Sequence, residues 1–484
     1  MGGLWTKKRA VGVAMHISCL PSAQGIGCFD KNAYQFVDFL CAAGMKFWQV
    51  CPLTPTGYGD SPYQGLSSWA INPYFIDLKA LEISIPDLPN DECRVAFGAI
   101  YHFFQDALSK IRENFPQNER EKLRYFRAHT PWLRPYALFS ALKKHFEGKS
   151  WMEWPPPYRQ YAKIDVTKLA PSILEDGESY EILQYLAYQQ WQKLKGYAHE
   201  KGVQIIGDIP MYPGLDSADV WSEPKNFQLD ENLKPLRIAG VPPDYFSEDG
   251  QLWGNPVYDW SYLERTNYDW WRRRIEYHRE IFDVLRLDHF RGFDRFWSVP
   301  QNALTAKNGK WERGPGEKLF RHFKNIPLIA EDLGELDASV HRLMEQLSCP
   351  GMKVMQFAFS HDAKNSYLPH HHHPFAVLYI GTHDNDTLLG WYRHCDESTK
   401  DQIHRYFGID DHEVLWKFLT EIYRSPCFLG IISVQDLLGL DSEGRLNIPG
   451  TECHNWQWRM TSGQFAALEA MASTLKAYVL QYDR

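Results

Sequence analysis

The sequence has no excess of positive charge. Lys and Arg number 52 against 60 Asp and Glu, a net charge of −8 over 484 residues. No broad basic face is advertised, and nucleic acid is not an expected partner. Long apolar runs are missing as well. None approaches the ~20 residues needed to span a bilayer, so no membrane partner is expected. The opening segment, MGGLWTKKRA, lacks the apolar core of a signal peptide. Cytoplasmic residence is the resulting expectation. The nine cysteines (Cys19, Cys28, Cys41, Cys51, Cys93, Cys349, Cys395, Cys427 and Cys453) are scattered without a CxxC pair. That argues against a zinc ribbon or a disulfide framework and favours reduced thiols. Neither GxxxxGK[ST] nor GxGxxG stands between a strand and a helix, so nucleotide chemistry has no support. No cofactor and no metal is expected.

What the chain does contain is a recurrent short apolar run ending in polar or acidic residues. The runs are GVAMHI (12–17), FWQVCPL (47–53), VQIIGDIPMY (203–212), VLRLDHF (284–290), PLIAEDL (327–333), KVMQFAF (353–359), AVLYIGTHD (376–384) and LGIISVQDLL (429–438). Each is continuous rather than alternating in hydrophobicity, as expected of a strand covered on both faces in a parallel sheet. Helical patterns fall between them. Residues 31–45 place Ala33, Phe36, Val37, Leu40 and Ala43 on one stripe, with Asp30 available as N-cap. Eight strands alternating with helices predict an α/β fold, a closed (β/α)8 TIM barrel. The whole chain, 1–484, reads as a single catalytic barrel with two insertions. Residues 78–180, after the second strand, are mainly helical in pattern. Residues 213–262, after the third, are loop-rich in Gly, Pro, Asp and Trp. Both leave from the C-terminal face, where barrel active sites are built.

Acidic residues close several of these strands: Asp208, Asp288, Glu331 and Asp384. One acidic residue after a strand is commonly the N-cap of the next helix. Several converging on one barrel mouth repel one another, and such repulsion is tolerated where it separates pKa values usefully. Glycosidic cleavage needs that separation. A carboxylic acid protonates the leaving oxygen while a carboxylate meets the oxocarbenium-like sugar. Arg286, two residues before Asp288, lies on the same strand face and would hold Asp288 ionised. His383, beside Asp384, is placed to donate to a sugar hydroxyl. The abundant aromatics (Trp 18, Tyr 26, Phe 27) serve equally as core or as flat faces for sugar rings. Trp253 reads as a sugar platform, Trp458 as core, and the run His370 to His373 as an exposed loop rather than a metal site.

The segments RLDHFRG, IAEDLG and GTHDNDT, in this order, resemble the signatures of the 4-α-glucanotransferases of glycoside hydrolase family 77 (amylomaltase or disproportionating enzyme). HISCLPSAQGIG, FWQVCPLTPTGYGDSPYQ, GDIPMYPGLDSADVW, GVPPDYFSEDGQLWGNPVYDW, CPGMKVMQFAF and QDLLGLDSEGRLNIPGTECHNWQWR extend the resemblance nearly end to end. It implies a barrel with helical insertions, without the C-terminal β-sandwich or structural calcium of typical α-amylases. It further implies a retaining transfer of α-1,4-glucan segments between maltooligosaccharide donors and acceptors, by a monomer or simple homo-oligomer. Position by position, Asp288 corresponds to the nucleophile, Glu331 to the general acid/base and Asp384 to the transition-state stabiliser. Asp208, Arg286 and His383 match residues around the cleaved bond. Asp244, Gln251, Trp253 and Asn455 match sugar-binding positions, and Tyr58, Ser61 and Tyr63 a loop bordering the cleft. Cys19, Ile71, Gly214-Leu215 and Ser360 depart from the family pattern, the last two where sugar subsites are affected. The retaining mechanism predicts Asp288 and Glu331 carboxyls ~5–5.5 Å apart. The runner-up is an α-amylase-like hydrolase, and a glucan-binding scaffold without catalysis is the rival from another class.

Overall fold

The structure is a computed structural model describing residues 5, 8–57, 59–81, 92–243, 248–334, 336–451 and 453–484. Its strands are β1 (Ala10–Ala14), β2 (Phe47–Gln49), β3 (Gln204–Ile209), β4 (Arg237–Val241), β5 (Gln251–Pro256), β6 (Val284–Leu287), β7 (Arg295–Pro300), β8 (Lys310–Arg313), β9 (Leu328–Ala330), β10 (Gly351–Val354), β11 (Ala376–Tyr379) and β12 (Leu429–Ser433). Eight of them form one parallel sheet in the order β10-β11-β12-β1-β2-β3-β6-β9. These eight arise from the eight apolar runs. The seam between β9 and β10 is closed by the Ala330 amide donating to the Pro350 carbonyl at 2.9 Å. The sheet is therefore a (β/α)8 barrel.

Strand alternation sorts the apolar side chains into two layers. Ile206, Val284, Ile329, Val377 and Leu429 pack with one another inside the barrel. Val11, Val13, Ile205, Leu285 and Leu378 join the larger core shared with the surrounding helices. Gly207 lets the two layers approach, because a Cβ there would run into the Phe282 ring. The helix Lys31–Ala42 starts as the sequence suggests, with Asp30 accepting from the Asn32 amide and Ala33, Phe36, Val37 and Leu40 buried.

Between β2 and β3 run the helices Phe97–Glu113, Arg120–His129 and Leu133–His145, then the long helix Pro171–Glu200. The expected insertion boundary at residue 180 falls inside that last helix. It is unbroken because it buries apolar side chains along its whole length, from Ile173 to Ala198. The loop-rich stretch 213–262 holds more regular structure than its composition suggests. It supplies β4 and β5, which join β7 and β8 in an antiparallel sheet of order β5-β4-β7-β8.

Trp151, Trp154, Trp221, Trp270 and Trp271 are all buried, and so are Trp456 and Trp458. Cys19, Cys28, Cys41, Cys51, Cys349, Cys395, Cys427 and Cys453 are free thiols. The histidine run does not converge. His370 Nδ1 is 2.7 Å from Tyr406 Oη, while the ring nitrogens of His371 and His372 reach the Ala363 and Tyr367 carbonyls. Among the described residues, no helix is long and apolar enough to cross a membrane.

Candidate active site

The parity that sends Val284 into the barrel sends Arg286 the same way, and so with Ile206 and Asp208 and with Ile329 and Glu331. Arg286 Nη1 donates to Asp208 Oδ2 at 2.5 Å and to Asp288 Oδ1 at 3.2 Å. Arg286 and Asp208 are nearly inaccessible, and Asp288 is half-buried. Burial works against the guanidinium charge. The surrounding carboxylates, Asp208 foremost, overcome it and hold the Arg286 pKa above its ordinary value. Tyr63 Oη donates to the same Asp208 oxygen at 2.7 Å and sits 3.3 Å from His383 Nδ1. Its ring stacks on His383 at 4.7 Å, and Trp456 leans against both. Burial pushes the His383 pKa down, leaving the ring neutral.

Asp288 lies one residue beyond β6 and Glu331 one beyond β9, and the two strands pair. Glu331 Oε2 accepts from the His289 amide at 2.8 Å and Oε1 from the Leu333 amide at 3.0 Å. Desolvation raises the pKa of both carboxyls. Arg286 opposes the rise at each, and Asp208, Glu331 and Asp384 add repulsion at Asp288. Such a coupled pair gives up its protons in two steps that belong to the pair.

Asp384, on the loop after β11, is more exposed. Its Oδ1 accepts from Asn447 Nδ2 at 2.7 Å, and its carbonyl from Arg445 Nη2 at 2.8 Å. Neither Arg445 nor Asn447 was singled out in the sequence. Both stand in GRLNIPG, inside the same family-like segment that holds Asn455, the expected sugar-binding position. Asn455 is committed to its own loop: Oδ1 accepts from the Ile448 amide, and Nδ2 donates to the Thr451 carbonyl and hydroxyl.

The remaining expected residues divide in the same way. Ser61 caps the turn Pro62–Gln64 by accepting from the Tyr63 amide, so it orients Tyr63. Trp253 presents its ring edge-on to His289 at 4.8 Å, and its Nε1 donates to Gln251 Oε1 at 3.1 Å. Tyr58 and Asp244 lie outside the described residues. A cleft lined by Asp208, Arg286, His383, Gln49, Tyr379 and Gln435, among others, opens into the barrel. Among the described residues, no group of three or more His, Cys, Asp or Glu is arranged to hold a metal ion.

A mouth with a guanidinium between two carboxylates, an amide-held glutamate and an aspartate on a neighbouring loop is suited to acid-assisted displacement at an anomeric carbon. Residues 15–465 match the profile of glycoside hydrolase family 77, described as 4-alpha-glucanotransferase. The chain belongs to this family. It is 43% identical over 468 residues to a 4-alpha-glucanotransferase of Clostridium butyricum, covering 93% of this chain and 96% of that one. Against a 4-alpha-glucanotransferase of Thermus thermophilus it is 42% identical, covering 96% and 98%. An amylomaltase from Streptococcus agalactiae, solved in complex with acarbose, superposes with a TM-score of 0.94 at 37% identity, covering 99% of this chain and all of that one. The family's barrel is thus the fold of this chain.

Proposed function

We propose that this family 77 member is a retaining 4-α-glucanotransferase that moves α-1,4-glucan segments between maltooligosaccharides. The observation that carries the reading is the contact of Arg286 with Asp288, one strand away from a Glu331 whose pKa is raised by burial. Burial raises the pKa of both carboxyls, Asp288 to about 8, so the pair holds a proton more readily than isolated carboxyls would. The direct contact of the guanidinium with Asp288 is the ground for putting the anion there and the proton on Glu331. Asp288 attacks the anomeric carbon as Glu331 protonates the departing glycosidic oxygen, giving a β-linked glucosyl-enzyme. The freed reducing-end segment leaves. The 4-hydroxyl of a second glucan then attacks, Glu331 takes its proton, and Asp288 departs with the α-linkage restored. Asp384 is placed to receive hydrogen bonds from the 2- and 3-hydroxyls of the distorted ring, contacts that shorten in the transition state. The complex of the Streptococcus agalactiae relative with acarbose supports an oligosaccharide ligand. Cytoplasmic residence goes with the free thiols.

The test is to incubate the purified protein with maltotriose alone and resolve products by chain length. Glucose together with oligomers longer than maltotriose is the expected result. Glucose and maltose without longer species would make water the acceptor and the protein a hydrolase. A folded protein that binds glucan without turnover would be a scaffold.

A further inference from the structure

Trp253 sits where its own sheet does not hold it. On β5, Leu252 pairs with Gly240 and Pro256 with Ile238, so three residues of β5, Trp253 to Asn255, face a single residue of β4. The excess is a bulge at the sheet edge, with Gly254 at φ +77°. A bulge re-aims a side chain but leaves its backbone groups without ladder partners. Gln64, immediately after Tyr63, supplies one for the Trp253 carbonyl and grips the Asn255 side chain as well. Its Nε2 donates to the Trp253 carbonyl at 3.2 Å and to Asn255 Oδ1 at 2.9 Å. In return Asn255 Nδ2 donates to Gln64 Oε1 at 3.2 Å and to the Pro213 carbonyl at 2.9 Å. Asn255 is buried and Gln64 is exposed. The 213–214 turn packs close against this junction, since a Cβ on Gly214 would lie 3.2 Å from the Gly65 carbonyl.

The two ends of this bridge touch different parts of the site. Tyr63 binds Asp208 and stacks on His383. Trp253 contacts His289, whose amide binds the carboxyl of Glu331. We propose that the reciprocal Gln64–Asn255 amide pair is a positioning device. It fixes Trp253 on the Glu331 side of the cleft and so decides whether a sugar or water takes the glucosyl group in the second step. Neither amide touches reacting atoms; they act through Trp253. An aimed indole gives the incoming glucan a flat apolar face and displaces water there. A loosened bulge removes that advantage while Asp288, Arg286 and Asp208 keep their contacts.

This inference rests on the transferase reading, and the experiment separates the two. Gln64→Met, close to glutamine in size, and Gln64→Ala are compared with the wild-type chain on maltotriose, scoring longer oligomers against hydrolysis products. An α-maltosyl fluoride donor reports the first step through fluoride release. The expected result is a fivefold or greater rise in the hydrolysis-to-transfer ratio and a higher KM for acceptor, with fluoride release lowered less than threefold. An unchanged ratio in folded variants, beside a wild-type chain that makes longer oligomers, overturns the role of Gln64 alone. Fluoride release falling in step with transfer also overturns it, because the pair would then support the whole site. A wild-type chain that makes no longer oligomers overturns the transferase reading itself, and this inference with it.

Discussion

Arg286 Nη1 is shared between two carboxylates, 2.5 Å from Asp208 Oδ2 and 3.2 Å from Asp288 Oδ1. The closer partner, Asp208, is not the proposed nucleophile. It is the more deeply buried of the two, and Tyr63 Oη converges on the same oxygen. Asp208 therefore sets how much of the guanidinium charge is left for Asp288.

Asp208→Asn is expected to leave the fold intact and to lower kcat about 10- to 100-fold. The charged acceptor for both Arg286 and Tyr63 is lost, and hydrogen bonds to charged groups are worth about 1.5–3 kcal/mol each. Arg286 keeps Asp288, so the loss of stability should fall below the ~3–5 kcal/mol typical of an orphaned buried charge. Steady-state kinetics with thermal unfolding checks both parts. An unchanged kcat in a folded Asp208→Asn protein would remove Asp208 from the machinery.

Tyr63→Phe and Tyr63→Ala separate the hydroxyl from the ring. The phenylalanine variant keeps the stack on His383 and the contact with Trp456, losing the hydroxyl's bond to Asp208 and its contact with His383 Nδ1. Its kcat should fall about 10-fold. The alanine variant also unseats His383 and should be at least another tenfold slower. Equal losses in the two variants would show that the stack contributes nothing.

Asp288→Asn should preserve folding, since the amide oxygen it introduces remains an acceptor for Arg286. It should nonetheless cost a factor on the order of 10⁴ or more in turnover, as loss of a nucleophile does. The assay is maltotriose disproportionation beside circular dichroism. A well-folded variant with normal turnover would refute the nucleophile assignment.

Asp436 gives a pH prediction away from the chemistry. It is buried and accepts from the Leu388 amide at 2.7 Å, where the chain leaves the Asp384 loop. Burial, with help from Asp386, pushes its pKa from 3.8 up to about 6. Between about pH 4 and 6 the folded chain keeps a proton that the unfolded chain has lost. Stability therefore falls as pH rises through this window, by about 3 kcal/mol from this group, and stays lowered above it. Asp436→Asn keeps an acceptor and removes the titration. Its stability relative to the wild-type chain should rise between pH 4 and pH 7, measured by denaturant unfolding. A difference that does not change with pH would mean that Asp436 does not titrate in this range.

Much of this protein is legible in its sequence because the deciding interactions are local or periodic. Continuous apolar runs mark strands covered on both faces, and all eight became barrel strands. The two-residue repeat of a strand put Arg286 and Asp288 on one face, and Asp30 capped its helix within two residues. The bulge at Trp253 and its bridge to Gln64 had no such signature, for they join segments 189 to 191 residues apart. The different partners of Asn447 and Asn455 are of the same kind. Both asparagines stand in one resembling segment, and only the packing of that loop onto the loop after β11 sends one side chain to Asp384 and the other back to its own backbone. Periodicity and strand order along the chain suffice for the barrel and for the convergence of its carboxylates. Which polar groups meet across the cleft is settled only when the loops pack in three dimensions, because a hydrogen bond depends on distance and direction in space and leaves no period in the chain.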